Sequence, residues 1–555
     1  MKQAKKLGTL VLLTALLASL VAACGNGNGG NGNEGASTSK PAESTSASGS
    51  APAAEGDPFA EPMNISVSWW GIGAAFDQQD PLLKEVEKRF NVTLKAMDIG
   101  WDNYKEKSQV WAAAGQLPDI ITHSLTNDQP ASYNEWVSQD LVHALPDDLS
   151  AYPNVEAIAK ADDVKGIYRD GKLYAVPRLT YANKDLWALD RAIYVRKDWM
   201  EALGIADPTN FDEFAAMLQA FTEKDPDNNG KKDTTGITMN TLGYFKAVFL
   251  PTFPQFGNGG WVKEEGKWIP FFASRQMDDV VTQARRLYTE GLLDQDFAVQ
   301  KAGEGNQKFF QNKAGALALN VDSVAGANGI KAEWEKNNPG LNFFDHVKLM
   351  HLWPAADGTI YRHTTMSWWS ESMINVEVDD KKLDRILRIY DWLLSPAGKE
   401  MFDYGIEGVD YTKDGDKITV TREKEENGNF VDLKKKYPSM DIISQLAAWR
   451  NASSLEDSEI NRAAKGDDAV QFVQDELKWQ MGNAKPIPTA FEIFTMSTPG
   501  NDKISSITFD DDFIRLILGK EDPVKMWQDI VKGYDSKGLQ EAIVEVNAEM
   551  AKMGK

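Results

Sequence analysis

The chain has 555 residues, 42% apolar and 26% charged, a globular balance with length enough for about three ordinary domains or two large lobes. Its 60 Lys and Arg against 82 Asp and Glu give a net charge of −22, which repels nucleic-acid backbones and anionic membrane surfaces. One cysteine excludes an intramolecular disulfide framework and any multi-cysteine zinc or iron–sulfur site, while 17 Trp, 15 Tyr and 24 Phe suggest stacking surfaces as well as core.

Residues 1–6 carry three lysines and no acid, and residues 7–23 are uncharged, apolar and end in small side chains just before Cys24. This is the layout of a secretory signal, and it is marginal for a spanning helix, which needs about 20 apolar residues. Val21-Ala22-Ala23-Cys24 resembles a bacterial lipobox, which implies a signal peptide over 1–23, acylation of the Cys24 thiol and a lipid-anchored linker over 24–56. Residues 25–56 contain only Gly, Asn, Ser, Thr, Ala, Pro, Glu and Lys. Nothing there offsets the entropy of ordering, so the segment reads as a tether with a reach of about 30 Å.

From Asn64 the pattern alternates. NISVSWWG (64–71) reads as a strand, PLLKEVEKRF (81–90) as a helix with Leu82, Leu83, Val86 and Phe90 on one face, and NVTLKAMDI (91–99) as a second strand. YKEKSQVWAAAG (104–115) is helical and stopped by Gly115, and DIITHS (119–124) is a third strand. The rhythm returns at AIYVRKDWMEALGI, FDEFAAMLQAF, AGALALNV and KKLDRILRIYDWLLS, which predicts an α/β fold. Trp199, Trp449, Trp479 and Trp527 lie on amphipathic patterns and are assigned to core.

Asp225, Asp227, Asn229 and Asp233 occupy positions 1, 3, 5 and 9 of an EF-hand-like loop, with Gly230 at 6 and the Lys231 carbonyl at 7. Position 12 is Gly236 instead of the bidentate Glu, and a strand-like GITMN follows instead of a second helix. A structural Ca2+ is expected; an Asx-rich turn around Asn229-Gly230 is the alternative.

The motifs AAGQLPDI (113–120), DGKLYAVP (170–177), YVRKDWMEALGI (194–205), FFQNKAGALALN (309–320), WLLSPAGKEMFDYGIEGVDYT (392–412) and ILGKEDPVKMWQDIV (517–531) run in order behind the lipobox and tether. Together they resemble the extracellular solute-binding proteins of family 1, the lipoprotein components of carbohydrate ABC importers. The resemblance implies a two-lobed periplasmic-binding-protein fold of class II type in 57–555, with ligand in the cleft between lobes. It implies lobe 1 over about 57–176 and 355–405 and lobe 2 over about 177–354 and 406–555, with crossings near 174–182 and 352–358 and beyond about 405. A monomer held on the outer face of the cell membrane by lipid is expected to deliver sugar to membrane permease subunits. Similar loops in the family hold a structural calcium.

Sugars present apolar C–H faces and a ring of hydroxyls, so their sites pair aromatic platforms with polar side chains. In open α/β sheets such sites lie at the carboxyl ends of strands. Candidate ligand-binding residues are therefore Trp69 and Trp70 ahead of the small-residue stretch 71–75, His123 after the third strand, and Arg178 at a predicted crossing. Asn320 and Asp322 end AGALALNV, Trp353 ends HVKLMHLW, and Trp368 and Trp369 open a returning strand. Glu407 lies in the motif YGIEG. A peptide or signalling-molecule ligand, or a secreted glycoside hydrolase with paired carboxylates, are the rival readings. The sequence contains no GxSxG elbow, HExxH helix or Gly-Lys-Ser/Thr phosphate loop, and no catalytic residue is assigned.

Overall fold

Two separate sheets organise the body of the protein. The computed structural model describes residues 59–555, apart from 71–75, 101–102, 182–183, 302, 326–328, 416, 426–429, 445, 450–456, 459–460 and 463–464. The signal segment, Cys24, the tether and the small-residue stretch 71–75 therefore lie outside the described residues.

We number the nine strands of the two larger sheets in chain order: β1 Met63–Trp70, β2 Val92–Ile99, β3 Ile120–His123, β4 Val176–Leu179, β5 Ala192–Arg196, β6 Thr235–Met239, β7 Ala314–Leu319, β8 Val347–Leu349 and β9 Trp368–Ile374. The first sheet has the order β2-β1-β3-β9-β4. In it β1 runs parallel to β2 and β3, while β9 is antiparallel to β3 and β4. The second has the order β8-β5-β7-β6, with β6 and β7 parallel and β5 antiparallel to both β7 and β8.

Local sequence explains the flanking helices. Helix Pro81–Phe90 starts where the Asp80 carboxylate accepts from the Leu82 and Leu83 amides, carries Pro at its first turn, and ends at Asn91 with φ 48°. It buries Leu82, Leu83, Val86 and Phe90 on the face read from the sequence. Helix Asp380–Leu394, capped by Asp379, buries Ile386, Ile389, Tyr390 and Leu393. Each fully buried Leu, Ile or Phe contributes about 1.5–3 kcal/mol relative to exposure.

The first core gathers Ile65, Val67, Ile120, Ile121, Met373 and Ile386. The second sheet buries both faces. Ile193, Val195 and Ala316 point into a core with Phe214, Ile237, Phe513 and Trp527, whereas Tyr194 and Leu317 point the other way, toward Trp187, Trp334 and Val473.

The chain passes from the first sheet to the second between Leu179 and Ala192, and returns between Leu349 and Trp368. The third crossing comes later than the lobe-2 expectation for 406–555. Leu433, Tyr437, Ile443 and Leu446 still pack in the first core, and Val473 is buried beneath the second sheet. Asp410 holds this segment down: its buried carboxylate accepts from the Ile406 amide and, at 2.6 Å, from the Tyr437 hydroxyl. Among the described residues no helix is long and apolar enough to cross a membrane.

Candidate ligand-binding site

The carboxyl ends of β1, β3 and β4 and the start of β9 meet at one edge of the first sheet, as the registers Glu371↔His123 and Trp368↔Leu179 require. Four indoles gather there. Trp69 lies 5.1 Å from Trp70 and 5.2 Å from Trp449, and Trp369 lies 5.8 Å from Trp70 and 5.6 Å from Trp449 between ring centroids. Trp69 and Trp70 are buried, whereas Trp369 and Trp449 are half-buried.

Arg178 threads through this cluster. Its guanidinium stands 4.1 Å from the Trp69 ring, 4.9 Å from Trp70 and 4.7 Å from Trp449, and donates to Ser370 Oγ at 2.7 Å. Trp449 Nε1 donates to the same Ser370 Oγ at 2.7 Å. Burial lowers the Arg178 pKa to about 9, against the pull of Glu371, so the side chain stays charged at neutral pH.

Trp368 and Trp369 part company. Trp368 is fully buried and donates through Nε1 to Thr126 Oγ1 at 3.2 Å. The β9–β4 register shifts between Trp368 and Ser370, and such a bulge re-aims the side chain it contains. Trp369 packs against the first core and also against the cluster beneath the second sheet, so it sits between the lobes.

Glu371, two residues on, is fully buried; it accepts from the Leu125 amide at 2.6 Å, the Thr126 amide and the Thr126 hydroxyl. Burial outweighs these donors and pushes its pKa up to about 8. His123 is buried against Tyr104 at 5.1 Å and accepts at Nδ1 from the Ser124 amide. Burial, then Lys105 and Arg178, lower its pKa to about 3, so it is neutral, and it packs behind Tyr104, whose ring meets Trp70 at 5.1 Å.

The second sheet presents its own carboxyl edge. Asn320 and Asp322 follow β7, Asp190 and Arg191 precede β5, and the Tyr194 hydroxyl donates to the Asn320 and Val321 carbonyls at 3.0 Å each. Arg191 contacts Asp190 and lies 5.0 Å from the Tyr244 ring. The Asp322 Oδ1 atom is buried without a hydrogen-bond partner among the described residues. Burial and the Asp190 charge push the Asp322 pKa up to about 7, so near neutral pH this carboxyl can donate or accept toward a hydroxyl. His363, 3.9 Å from Asp190, is buried and held well below its ordinary pKa.

The remaining candidates lie apart. Trp353 sits beyond the three residues of β8 and packs on Phe214 at 5.9 Å, within the second core. Glu407 is exposed in the turn that pairs it with Tyr411. Trp449, assigned to core from its helical pattern, joins the indole cluster because its amide donates to the Leu179 carbonyl at 2.8 Å, extending the sheet edge. Trp199 and Trp527 are buried as expected, while Trp479 is half-buried and stacked on His351 at 3.5 Å.

In the loop 225–233, Asp225 accepts from the Asn229 and Gly230 amides, with Asp225 and Gly230 at positive φ. The Asn229 side-chain amide donates to Asp227 Oδ2 at 2.7 Å and Asp233 Oδ1 at 3.1 Å. Asp227 Oδ1 is buried without a partner among the described residues, and burial followed by Asp225 raises the Asp227 pKa. Among the described residues no three His, Cys, Asp or Glu side chains are drawn together as a preformed metal cluster. The donor chemistry fits a hard cation, and the Asn229 amide occupies the place between carboxylates that such an ion would take.

Two α/β lobes, with three chain crossings and aromatic side chains at the carboxyl edge of the first sheet, define the class of two-lobed binding proteins. The model of the bacterial extracellular solute-binding protein family matches residues 75–400, and the chain belongs to that family. It is 28% identical over 378 residues to the polygalacturonan/rhamnogalacturonan-binding protein YtcQ of Bacillus subtilis, covering 65% of this chain and 70% of that one. It is 25% identical over 430 residues to the fructooligosaccharide ABC transporter substrate-binding protein FusA of Streptococcus pneumoniae, covering 72% of this chain and 71% of that one. The solved structure of FusA with kestose superposes with TM-score 0.64 at 18% identity, covering 89% and 100% of the two chains. The alginate-binding protein AlgQ2 without calcium ion gives TM-score 0.64 at 18% identity, covering 88% and 97%.

Proposed function

We propose that this protein captures an oligosaccharide between its lobes and delivers it to the permease of an ABC importer, without covalent chemistry of its own. The observation that carries the reading is the four-indole cluster at the carboxyl edge of the first sheet, with Trp369 half-buried between the lobes and Trp449 half-buried beside it. Indole faces stack on sugar C–H faces, and the carboxylates, amides and arginine across the gap suit sugar hydroxyls. The sugars named for YtcQ and FusA support the same ligand class.

In this reading lobe 1 comprises β1 to β4, β9 and the segment through Ala447, and lobe 2 the second sheet with the C-terminal helices. Closure is a population shift toward the state that binds sugar better. Cys24 carries the acyl anchor, palmitate among its chains, and the monomer stands outside the cell membrane on its tether. The Asp225, Asp227, Asn229, Lys231 and Asp233 loop holds structural Ca2+; a solved FusA structure of an EF-hand mutant supports a loop of this kind in the fold.

The test is tryptophan fluorescence of the purified protein against neutral and uronate oligosaccharides, with mass spectrometry of each sugar afterward. A saturable shift with intact sugar is expected. Cleaved sugar, or silence across the panel with response to peptides, overturns the proposal.

A further inference from the structure

We infer that Gly166 and Arg169 form a docking latch between the lobes and set ligand affinity without touching ligand. The inference rests on the lobe-closure reading above. Gly166 lies in the short helical turn Lys165–Ile167, whose Ile167 is buried in the first core. Facing it is Thr495, buried between Ile493 and Met496, which belong to the second core. A Cβ on Gly166 would fall 1.8 Å from Thr495 Oγ1 and 2.9 Å from Thr495 Cβ. A side chain there would force Thr495 to move. Gly166 has no positive φ, so its backbone does not demand glycine; the neighbour in the other lobe does.

Polar contacts flank this seat. Arg169 bonds the Gly166 and Tyr168 carbonyls of its own lobe at 2.8 Å each and reaches the Thr495 carbonyl at 3.3 Å. Asn134 accepts from Arg169 and donates to Ser497 across the gap. A hydrogen bond anchors the backbone on each side. The Tyr133 hydroxyl donates to the Ile167 carbonyl at 2.9 Å, and the Asn501 side chain donates to the Met496 carbonyl at 2.6 Å. Asp502 accepts from Ser497 at 2.8 Å and draws Arg169 electrostatically. Asn134, Gly166, Arg169, Thr495 and Ser497 line a groove of about 960 Å3 that also includes Lys184, on the segment crossing between the sheets.

A contact made in one lobe arrangement and lost in others adds its free energy to that arrangement alone. Weakening it lowers the binding-competent fraction and raises the apparent dissociation constant in proportion. The latch is therefore a positioning device, distinct from the indole platform.

The test uses Gly166→Ala, Thr495→Gly and the double variant, read by small-angle X-ray scattering without sugar and by titration with the sugar the panel identifies. Gly166→Ala is expected to enlarge the radius of gyration and to weaken binding about tenfold or more, through faster dissociation. Adding Thr495→Gly, which removes the three atoms nearest the new methyl, is expected to restore both readouts. Unchanged scattering and affinity in Gly166→Ala, tighter binding in it, or a defect that Thr495→Gly leaves in place each overturn the latch. If Gly166→Ala does not fold, Arg169→Met carries the test: a larger radius supports the latch and an unchanged one overturns it. Scattering needs no sugar, so it decides the latch even where the oligosaccharide reading itself fails.

Discussion

The Arg178 guanidinium stands 4.1 Å from the Trp69 ring and is boxed by Trp70 and Trp449, so its charge is solvated by indole faces in place of water. Arg178→Met keeps the length and removes the cation. It is expected to destabilise the protein by about 2–4 kcal/mol, since a desolvated cation–π contact is worth about 2 kcal/mol and three rings share this one. Arg178→Lys is expected to fall between, because an ammonium lacks the planar face that stacks. Urea midpoints of the three proteins check the order.

Neighbouring tryptophans on β9 are expected to divide stability from binding. Trp368→Ala removes a fully buried side chain and its bond to Thr126, at a cost of about 3–5 kcal/mol. Trp369→Ala removes a half-buried platform between the lobes and is expected to cost little stability but about 10- to 100-fold in sugar affinity. Thermal unfolding and fluorescence titration separate the two. Equal effects on both readouts would remove Trp369 from the site.

What the sequence reveals here follows range. Helix Pro81–Phe90 and strand β1 are legible because cap, periodicity and burial all lie within ten residues. The split between Trp368 and Trp369 is legible as strand alternation, although the bulge that aims Trp369 is not. Arg178 reads as a ligand candidate at a predicted crossing; it is buried among indoles because Trp449, far along the chain, closes the box around it. Glu371 shows no motif beyond its place among buried strand positions. Gly166 carries no sequence motif, and only Thr495 in the other lobe reveals its constraint.

The contributions of Glu371 and Asp322 to stability are expected to fall as pH rises from about 5 to 8, opposed below about pH 6.5 by His123 and His363, which burial keeps neutral in the fold. The Glu371 pKa is raised from 4.5 unfolded to about 8 folded, and that of Asp322 from 3.8 to about 7. In this window the two folded carboxyls hold protons that their unfolded counterparts have released. The stabilisation is complete below the unfolded pKa values and is lost as pH climbs through the folded ones. Glu371→Gln keeps an acceptor for Leu125 and Thr126 without a charge to bury, so its stability is expected to vary less, by up to about 3 kcal/mol across the window. Urea unfolding at pH 5 and pH 8 measures the difference; parallel losses in both proteins would place the titration elsewhere.

Calcium is expected to stabilise the folded protein through the loop around Asp227 without changing the indole site. In the structure the Asn229 amide alone separates Asp227 from Asp233, and Asp227 Oδ1 has no partner among the described residues. A divalent ion would neutralise these carboxylates, and binding only the folded state at 100 times its dissociation constant adds about 2.7 kcal/mol. Chelation should therefore lower the unfolding midpoint, and Asp225→Ala with Asp227→Ala should abolish the calcium response. Magnesium should substitute poorly, because it demands near-ideal octahedral geometry at about 2.0–2.1 Å and gives up its waters reluctantly. A midpoint indifferent to calcium and chelator alike would leave the loop an Asx-rich turn, held by the Asp225 contacts to the Asn229 and Gly230 amides.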